Sequence, residues 1–378
     1  MSSALSRVHG ANDATIVDGI TYASPTYLLT SIRDFISSIT YRMLADGMLL
    51  QDIEAATEGI KGWPHWCDFF MALAHAHEQL AHQSLENGYS LSASEHLVRA
   101  ALCAHYGQFL YFGFPEIKKQ AVELKLRLYQ EAAPLMSPSA ERIEVPYERS
   151  ELPAYLRVPP GRGPFPWVVV VGGLDAAKED MHQFASLCLA RGLATVVFDG
   201  PGQGEAYARG LYLNPNFHHA VSAVIDRLSS RVELNADRIG IIGRSLGGFL
   251  APQTAALDKR IKACVAWGAL YDLGSLDRKP PLIRDGYRFV TGAKDWAEAK
   301  ELTSWINLAG TAERITCPLY IVHGAKDNSV PPSNAERLAR EARGPVKLRM
   351  VPNSIHCNHE VAHVVRPDMA DWLAAQLR

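Results

Sequence analysis

The chain has 378 residues, of which 48% are hydrophobic and 21% charged, a balance that excludes a disordered tail or a low-complexity linker as its main content. A formal net charge of -2 gives no electrostatic reason to bind nucleic acid, and the length exceeds what one compact core usually holds, so two domains, or one core with a large attached module, are expected. The six cysteines are scattered without a CxxC pair, which points to reduced thiols in a cytoplasmic protein. The opening residues MSSALSRVHGANDATIV lack a basic segment followed by an apolar run, so no secretory signal is expected.

In chain order, the first elements read as helices. Ser24-Pro25-Thr26 is a start signal, a capping serine with proline at the first helical position. It leads into an apolar-periodic run that ends near Gly47. LQDIEAATEGIKG follows, then a Trp63-Pro64-His65-Trp66 corner and helices over about 67–87, 92–112 and 115–133. None of this stretch alternates as a half-buried strand would, so residues 1–138 are expected to form an all-α domain.

Past Met136-Ser137-Pro138-Ser139 the pattern inverts. The runs RIEVPY, LPAYLRV, WVVVV, ATVVF, RIGII, IKACVAW, LYIVH and VKLRMV are strand candidates, the first two joined by a short polar link that predicts an antiparallel edge pair. Helical patterns over 181–191, 217–231, 333–343 and 361–377 separate later strands. Such alternation predicts a mostly parallel eight-stranded sheet flanked by helices over 139–378. Residues 271–311 are too long for a simple crossover and predict a helical insertion over the carboxyl edge.

The strongest chemical signal is RIGIIGRSLGG, Arg238–Gly248. It reads as strand, then Gly243-Arg244-Ser245-Leu246-Gly247, then helix, which is the context a nucleophile elbow requires. The turn is so tight that side chains flanking the serine would collide with strand and helix, and glycine avoids this. Ser245 at a helix N-terminus lies where backbone N–H groups favour negative charge. A serine nucleophile needs a histidine base and an orienting acid, in the chain order Ser, Asp/Glu, His. LYIVH runs into Gly324-Ala325-Lys326-Asp327, and VKLRMV runs into Pro352-Asn353-Ser354-Ile355-His356. Asp327 and His356 are therefore the expected acid and base, with Asp272 the alternative acid and His359 the alternative base. The oxyanion needs two donors. One is expected from the Leu246 N–H. The other is expected from Leu174 or Gly173, in the loop VVVVGGLDAAKED.

FDGPGQGEA, Phe198–Ala206, lacks the full dinucleotide and P-loop fingerprints and reads as a structural turn bordering the pocket. His356-Cys357-Asn358-His359 offers too few partners for a closed metal site. No cofactor and no metal are expected, and no membrane partner, since the longest apolar runs are far too short to span a bilayer. A small-molecule substrate is expected, and the sequence leaves a homodimer open.

With these residues in hand, the chain resembles the α/β-hydrolases that carry an N-terminal helical domain, a group that includes bacterial dihydroxypseudooxynicotine hydrolase and fungal polyketide-shortening hydrolases. The resemblance rests on GGLDAAKED, FDGPGQGEA, GRSLGG, CVAWGALYDL, HGAKDNSVP and IHCNH in that order, and reaches the helical domain through SASEHLVRAALCAHYGQFLYF. It implies the α/β-hydrolase fold, a triad of Ser245, Asp327 and His356, hydrolysis of a carbon–carbon bond next to a ketone, and a substrate shaped by the helical domain. The resemblance also implies an acidic substrate contact near DLGSLDRKPP, where this chain has Arg278 and Lys279. The same machinery serves a carboxylesterase, a lactonase or a non-hydrolytic cyclase.

Overall fold

The computed structural model describes residues 31–378, together with the backbone of two short strands, β1 (Thr15–Val17) and β2 (Ile20–Tyr22). The start signal at Ser24-Pro25-Thr26 lies outside the described residues. The antiparallel pair β1–β2 departs from the expected all-α reading of this region. Three-residue strands are too short to show alternation, although Asp18-Gly19 between them is a hairpin-favouring dipeptide.

The chain divides into two compact units, Met1–Ala132 with Pro280–Gly286, and Ala133–Lys279 with Tyr287–Arg378. In the first, Ser31 caps α1 (Ile32–Asp46), accepting from the Asp34 N–H, and Gly47 ends it with φ 111°, as a left-handed terminator does. Helices α2 (Leu50–Gly59), α3 (Trp66–Glu86), α4 (Ser90–Gln108) and α5 (Pro115–Ala132) follow. Phe35, Trp63, Trp66 and Phe70 form an aromatic cluster with centroids 4.8–5.5 Å apart. The buried Trp66 indole donates to the Tyr106 carbonyl at 3.0 Å. Residues 100–108 are buried throughout, so this segment is core helix, with His105 packed against Tyr106 and Phe109.

The second unit is built on an eight-stranded sheet of β3 (Glu141–Tyr147), β4 (Ser150–Arg157), β5 (Phe165–Val171), β6 (Ala194–Phe198), β7 (Leu234–Arg244), β8 (Ile261–Trp267), β9 (Leu319–Gly324) and β10 (Val346–Val351). Its order is β10-β9-β8-β7-β5-β6-β4-β3. From β6 across to β10 all neighbours are parallel, while β3–β4 and β4–β6 are antiparallel, as the short polar link implies. Trp167–Val171 are all fully buried, which is why this strand reads as a continuous apolar run. Burial of each such valine stabilises by roughly 1.5–3 kcal/mol.

The helices after β5 are α6 (His182–Leu189), α7 (Gly204–Ala208), α8 (Phe217–Leu228), α9 (Gly247–Leu257), α10 (Pro281–Thr291), α11 (Trp296–Leu302), α12 (Ser333–Glu341) and α13 (Ala362–Gln376). On α8 the buried positions are Phe217, Ala220, Val221, Val224, Ile225 and Leu228, one helical stripe. The 271–311 segment holds α10 and α11, and its Pro280–Gly286 part belongs to the first unit.

The chain passes from β5 to β6 on one side, then returns to β7 on the other side of β5. Loops leaving β5 and β7 therefore diverge from adjacent carboxyl ends, where Val171 pairs with Gly243. Open α/β sheets bind ligands at such a switch point.

Candidate active site

Ser245 follows β7 in the turn before α9, at φ 60°, a left-handed conformation that costs a non-glycine residue on the order of 1–3 kcal/mol and persists only when its surroundings enforce it. Two glycines do so. A Cβ on Gly243 would lie 1.8 Å from the Gly247 carbonyl oxygen, and one on Gly247 would lie 2.5 Å from that of Val171. The Ser245 N–H donates to the Trp267 carbonyl at 2.8 Å, tying the turn to β8.

His356 Nε2 lies 2.8 Å from Ser245 Oγ, and His356 Nδ1 lies 2.6 Å from Asp327 Oδ2. Residues from the ends of β7, β9 and β10 thus meet in one hydrogen-bonded chain. The other Asp327 oxygen accepts from the N–H groups of Ser329 and Val330 at 2.9 and 2.8 Å, which fixes the carboxylate. The alternatives bond elsewhere. Asp272 accepts from the Gly274 N–H at 2.6 Å and from Asn307 Nδ2 at 3.0 Å. His359 Nδ1 pairs with Arg366 Nη2 at 3.2 Å.

Burial opposes ionisation of Asp327, but the hydrogen bond and charge of His356 and the Val330 N–H outweigh it and hold the carboxyl below its ordinary range. Burial also opposes the His356 imidazolium, yet the Cys357 sulfur and the Asp327 carboxylate raise this histidine above its ordinary value. A base must be neutral to accept a proton, so a raised pKa moves the useful range toward alkaline pH. If His356 is the base, kcat/KM should rise through one ionisation with its midpoint above about 6.5, the ordinary histidine value. A pH–rate profile checks this, and a midpoint below that value would contradict it.

Gly173 packs against the elbow, where a Cβ would lie 2.9 Å from the Arg244 carbonyl oxygen and 3.1 Å from Ser245 Cβ. Among the described residues the N–H groups of Leu246 and Leu174 are donated to no other protein group.

Several supporting residues escaped the sequence reading. His323 is buried on β9, donates through Nε2 to the Val330 carbonyl at 2.9 Å, and braces the Asp327 turn; burial holds its pKa below the ordinary value. The loop carrying His356 is held by the Trp267 indole, which donates to the Cys357 carbonyl at 2.6 Å, and by Glu360, which accepts from the Ile355 N–H at 2.8 Å. Cys357 and Asn358 take positive φ of 58° and 54° there. Arg244, beside Ser245, forms a buried ion pair with Asp180 at 2.7 Å. Lys178, fully buried, meets Glu179, Asp199 and Glu205 at 2.8–3.1 Å. Burial penalises its ammonium, but the three carboxylates outweigh that and raise its pKa. Gln203, in the FDGPGQGEA turn, donates to the Gly172 carbonyl at 2.8 Å.

Within the first unit, ligand atoms of Asp52, His77 and Cys103 lie within 4.8 Å of one another, as do those of Glu78, His82 and Glu131. Asp52 and His77 are already paired at 2.8 Å, and Glu78 with Arg127 at 2.6 Å. No described helix is long and apolar enough to cross a membrane.

The family model described as esterase FrsA-like matches residues 65–281, and that of the dienelactone hydrolase family matches residues 214–365. The 2,6-dihydropseudooxynicotine hydrolase of Paenarthrobacter nicotinovorans is 38% identical over 334 residues, covering 88% of this chain and 90% of that protein. The hydrolase acrC of Aspergillus aculeatus is 29% identical, over 64% of this chain and 62% of the relative. The crystal structure of 2,6-dihydroxy-pseudo-oxynicotine hydrolase superposes with a TM-score of 0.83 at 36% identity, covering 89% of this chain and 95% of that one. Wild-type AbyA5 shares the fold, with a TM-score of 0.71 at 17% identity over 92% of this chain and all of that one (100%). The chain is a hydrolase of the α/β-hydrolase fold and belongs to the FrsA-like esterase family, in company with the pseudooxynicotine hydrolases.

Proposed function

We propose that this enzyme hydrolyses a carbon–carbon bond next to a ketone in an acyl, aryl or polyketide-like substrate, with Ser245 as nucleophile, His356 as base and Asp327 as orienting acid. Ser245 Oγ attacks the carbonyl carbon and passes its proton to His356 Nε2. The oxyanion accepts hydrogen bonds from the N–H groups of Leu246 and Leu174. Collapse breaks the carbon–carbon bond, whose electron pair leaves as an enolate or stabilised carbanion and takes the proton from His356. Water, deprotonated by His356, then attacks the Ser245 ester and releases the carboxylic acid. The observation that carries the reading is the chain from Ser245 through His356 to Asp327, at 2.8 and 2.6 Å. The choice of a ketone rests on the 38% identity to an enzyme named for a pseudooxynicotine.

A second reading, a carboxylesterase or lactonase, is favoured by the match to the FrsA-like esterase model. Both reactions pass through the same tetrahedral species, and leaving-group stability separates them. No cofactor, nucleic acid or membrane enters the scheme, and a homodimer is compatible with it. We place the protein in the cytoplasm because all six cysteines are free thiols, the state a reducing compartment maintains.

We further assign residues 1–138 a substrate-shaping role and residues 139–378 the chemistry. A panel of β-diketones, aryl ketones, esters and lactones, with product masses, tests these assignments on the full chain and on one beginning at Glu141. The full chain should turn over ketones to an acid and a second ketone or arene, and the shortened chain should lose the large ketones. Turnover of esters alone would favour the second reading. Equal activity of the shortened chain on all substrates would remove the role given to the helices.

A further inference from the structure

Resting on the reading of Leu174 as an oxyanion donor, we propose that Gln203 is a positioning residue that sets the oxyanion hole, by clamping the two peptide groups that precede Leu174. Gln203 is 3% exposed and lies about 30 residues further along the chain, between β6 and α7. Its Nε2 donates to the carbonyl oxygens of Gly172 at 2.8 Å and Gly173 at 3.3 Å. Its Oε1 accepts from the Gly200 N–H at 3.1 Å. The Gly200 bond fixes which way the amide faces, because a flipped amide would set Oε1 against two carbonyl oxygens and Nε2 against an N–H.

The consequence follows from peptide geometry. In a planar trans peptide the C=O of one residue and the N–H of the next point in opposite directions. The Gly173 carbonyl belongs to the same peptide as the Leu174 N–H, and the Gly172 carbonyl to the same peptide as the Gly173 N–H. Pulling both carbonyls toward Gln203 turns both N–H groups away from it. These are the two groups from which the sequence leaves the second donor to be chosen. The loop also lies close to the nucleophile, since a Cβ on Gly173 would come within 3.1 Å of Ser245 Cβ. The base of the clamp is stiff. Asp199 accepts from the backbone N–H groups of Lys178 and Glu205 at 2.7 and 2.9 Å, joining the GGLDAAKED and FDGPGQGEA loops. Gln203 touches no reacting atom in this scheme and acts only through the direction of the peptides.

The test compares Gln203→Glu and Gln203→Met with the wild type, using p-nitrophenyl acetate as substrate and phenyl trifluoromethyl ketone as a transition-state mimic. Rates are normalised to sites labelled to completion by a fluorophosphonate, so that loss of folded protein does not count. Loss of one oxyanion donor costs about 10²–10³ in kcat, and a misdirected donor should cost toward the lower end, about 10²-fold, with KM changed by less than about threefold. Affinity for the trifluoromethyl ketone should fall in step with kcat/KM, which a purely structural role would not produce. Gln203→Asn, with the amide kept but withdrawn, should fall between the wild type and Gln203→Met. The inference is overturned by per-site kcat within about threefold of wild type in Gln203→Met, or by a loss confined to KM. Ser245→Ala run alongside separates the two failures: an active Ser245→Ala overturns the serine mechanism itself, whereas an inactive one beside wild-type Gln203 variants overturns only the clamp.

Discussion

Ser245→Ala should lower turnover by about 10⁶, the scale on which loss of a triad nucleophile falls, while the protein stays folded. The fold should survive because alanine occupies the same strained backbone at φ 60° with one fewer atom. What disappears is a half-exposed hydrogen bond to His356 at 2.8 Å, worth on the order of 1 kcal/mol. The melting temperature should therefore move by no more than about 2–4 °C. Steady-state kinetics and thermal denaturation on the same preparation check both statements. Activity above about a tenth of wild type in a folded Ser245→Ala would remove Ser245 from the chemistry.

Asp327→Asn should lower turnover by up to about 10⁴, because an amide stabilises the wrong imidazole tautomer beneath the nucleophile. The asparagine Oδ1 can still accept from the Ser329 and Val330 N–H groups that now bond Asp327, so the turn should persist. Asp272→Asn is the matched control. Its carboxylate bonds to Gly274 and Asn307 and should be dispensable to within a few-fold. Loss of the Asp327 charge also removes one of the influences that raise His356. The residual activity should then rise at lower pH than in the wild type. If Asp272→Asn proved the damaging change, the acid would have moved to the end of β8.

The strands were legible as short apolar runs bounded by turn signals: ATVVF and IKACVAW are buried nearly throughout, VKLRMV is only partly buried, and all three have the bounds read from sequence. β7 begins earlier, at Leu234. Only the buried Leu234 pairs with Phe165 there, and it is separated from Ile239 by the largely exposed, mostly polar stretch Asn235–Arg238 and a register shift that no local pattern announces. Ser245, Asp327 and His356 were readable because each follows a strand end by a few residues, and parallel strands bring such loops to one edge. The bracing groups were not. Gln203, His323 and Trp267 act on backbone carbonyls 31, 7 and 90 positions away, and a carbonyl has no signature in a sequence. Arg244 and Asp180 sit 64 positions apart, in motifs that explain their neighbours but not themselves. Departures from the expected helical region have the same origin. β1 and β2 are too short to carry a period, and the assignment of Pro280–Gly286 to the first unit depends on packing rather than on pattern.

The central claim is that Ser245 is the activated nucleophile, and the most direct measurement is peptide mass mapping after reaction with a fluorophosphonate. A serine whose Oγ is held 2.8 Å from a histidine paired in turn with a carboxylate at 2.6 Å should take up one adduct per chain. That adduct should map to the peptide containing Gly243-Arg244-Ser245-Leu246-Gly247 and should vanish in Ser245→Ala. A fully active enzyme that forms no adduct, or one labelled at a different residue, would contradict the account.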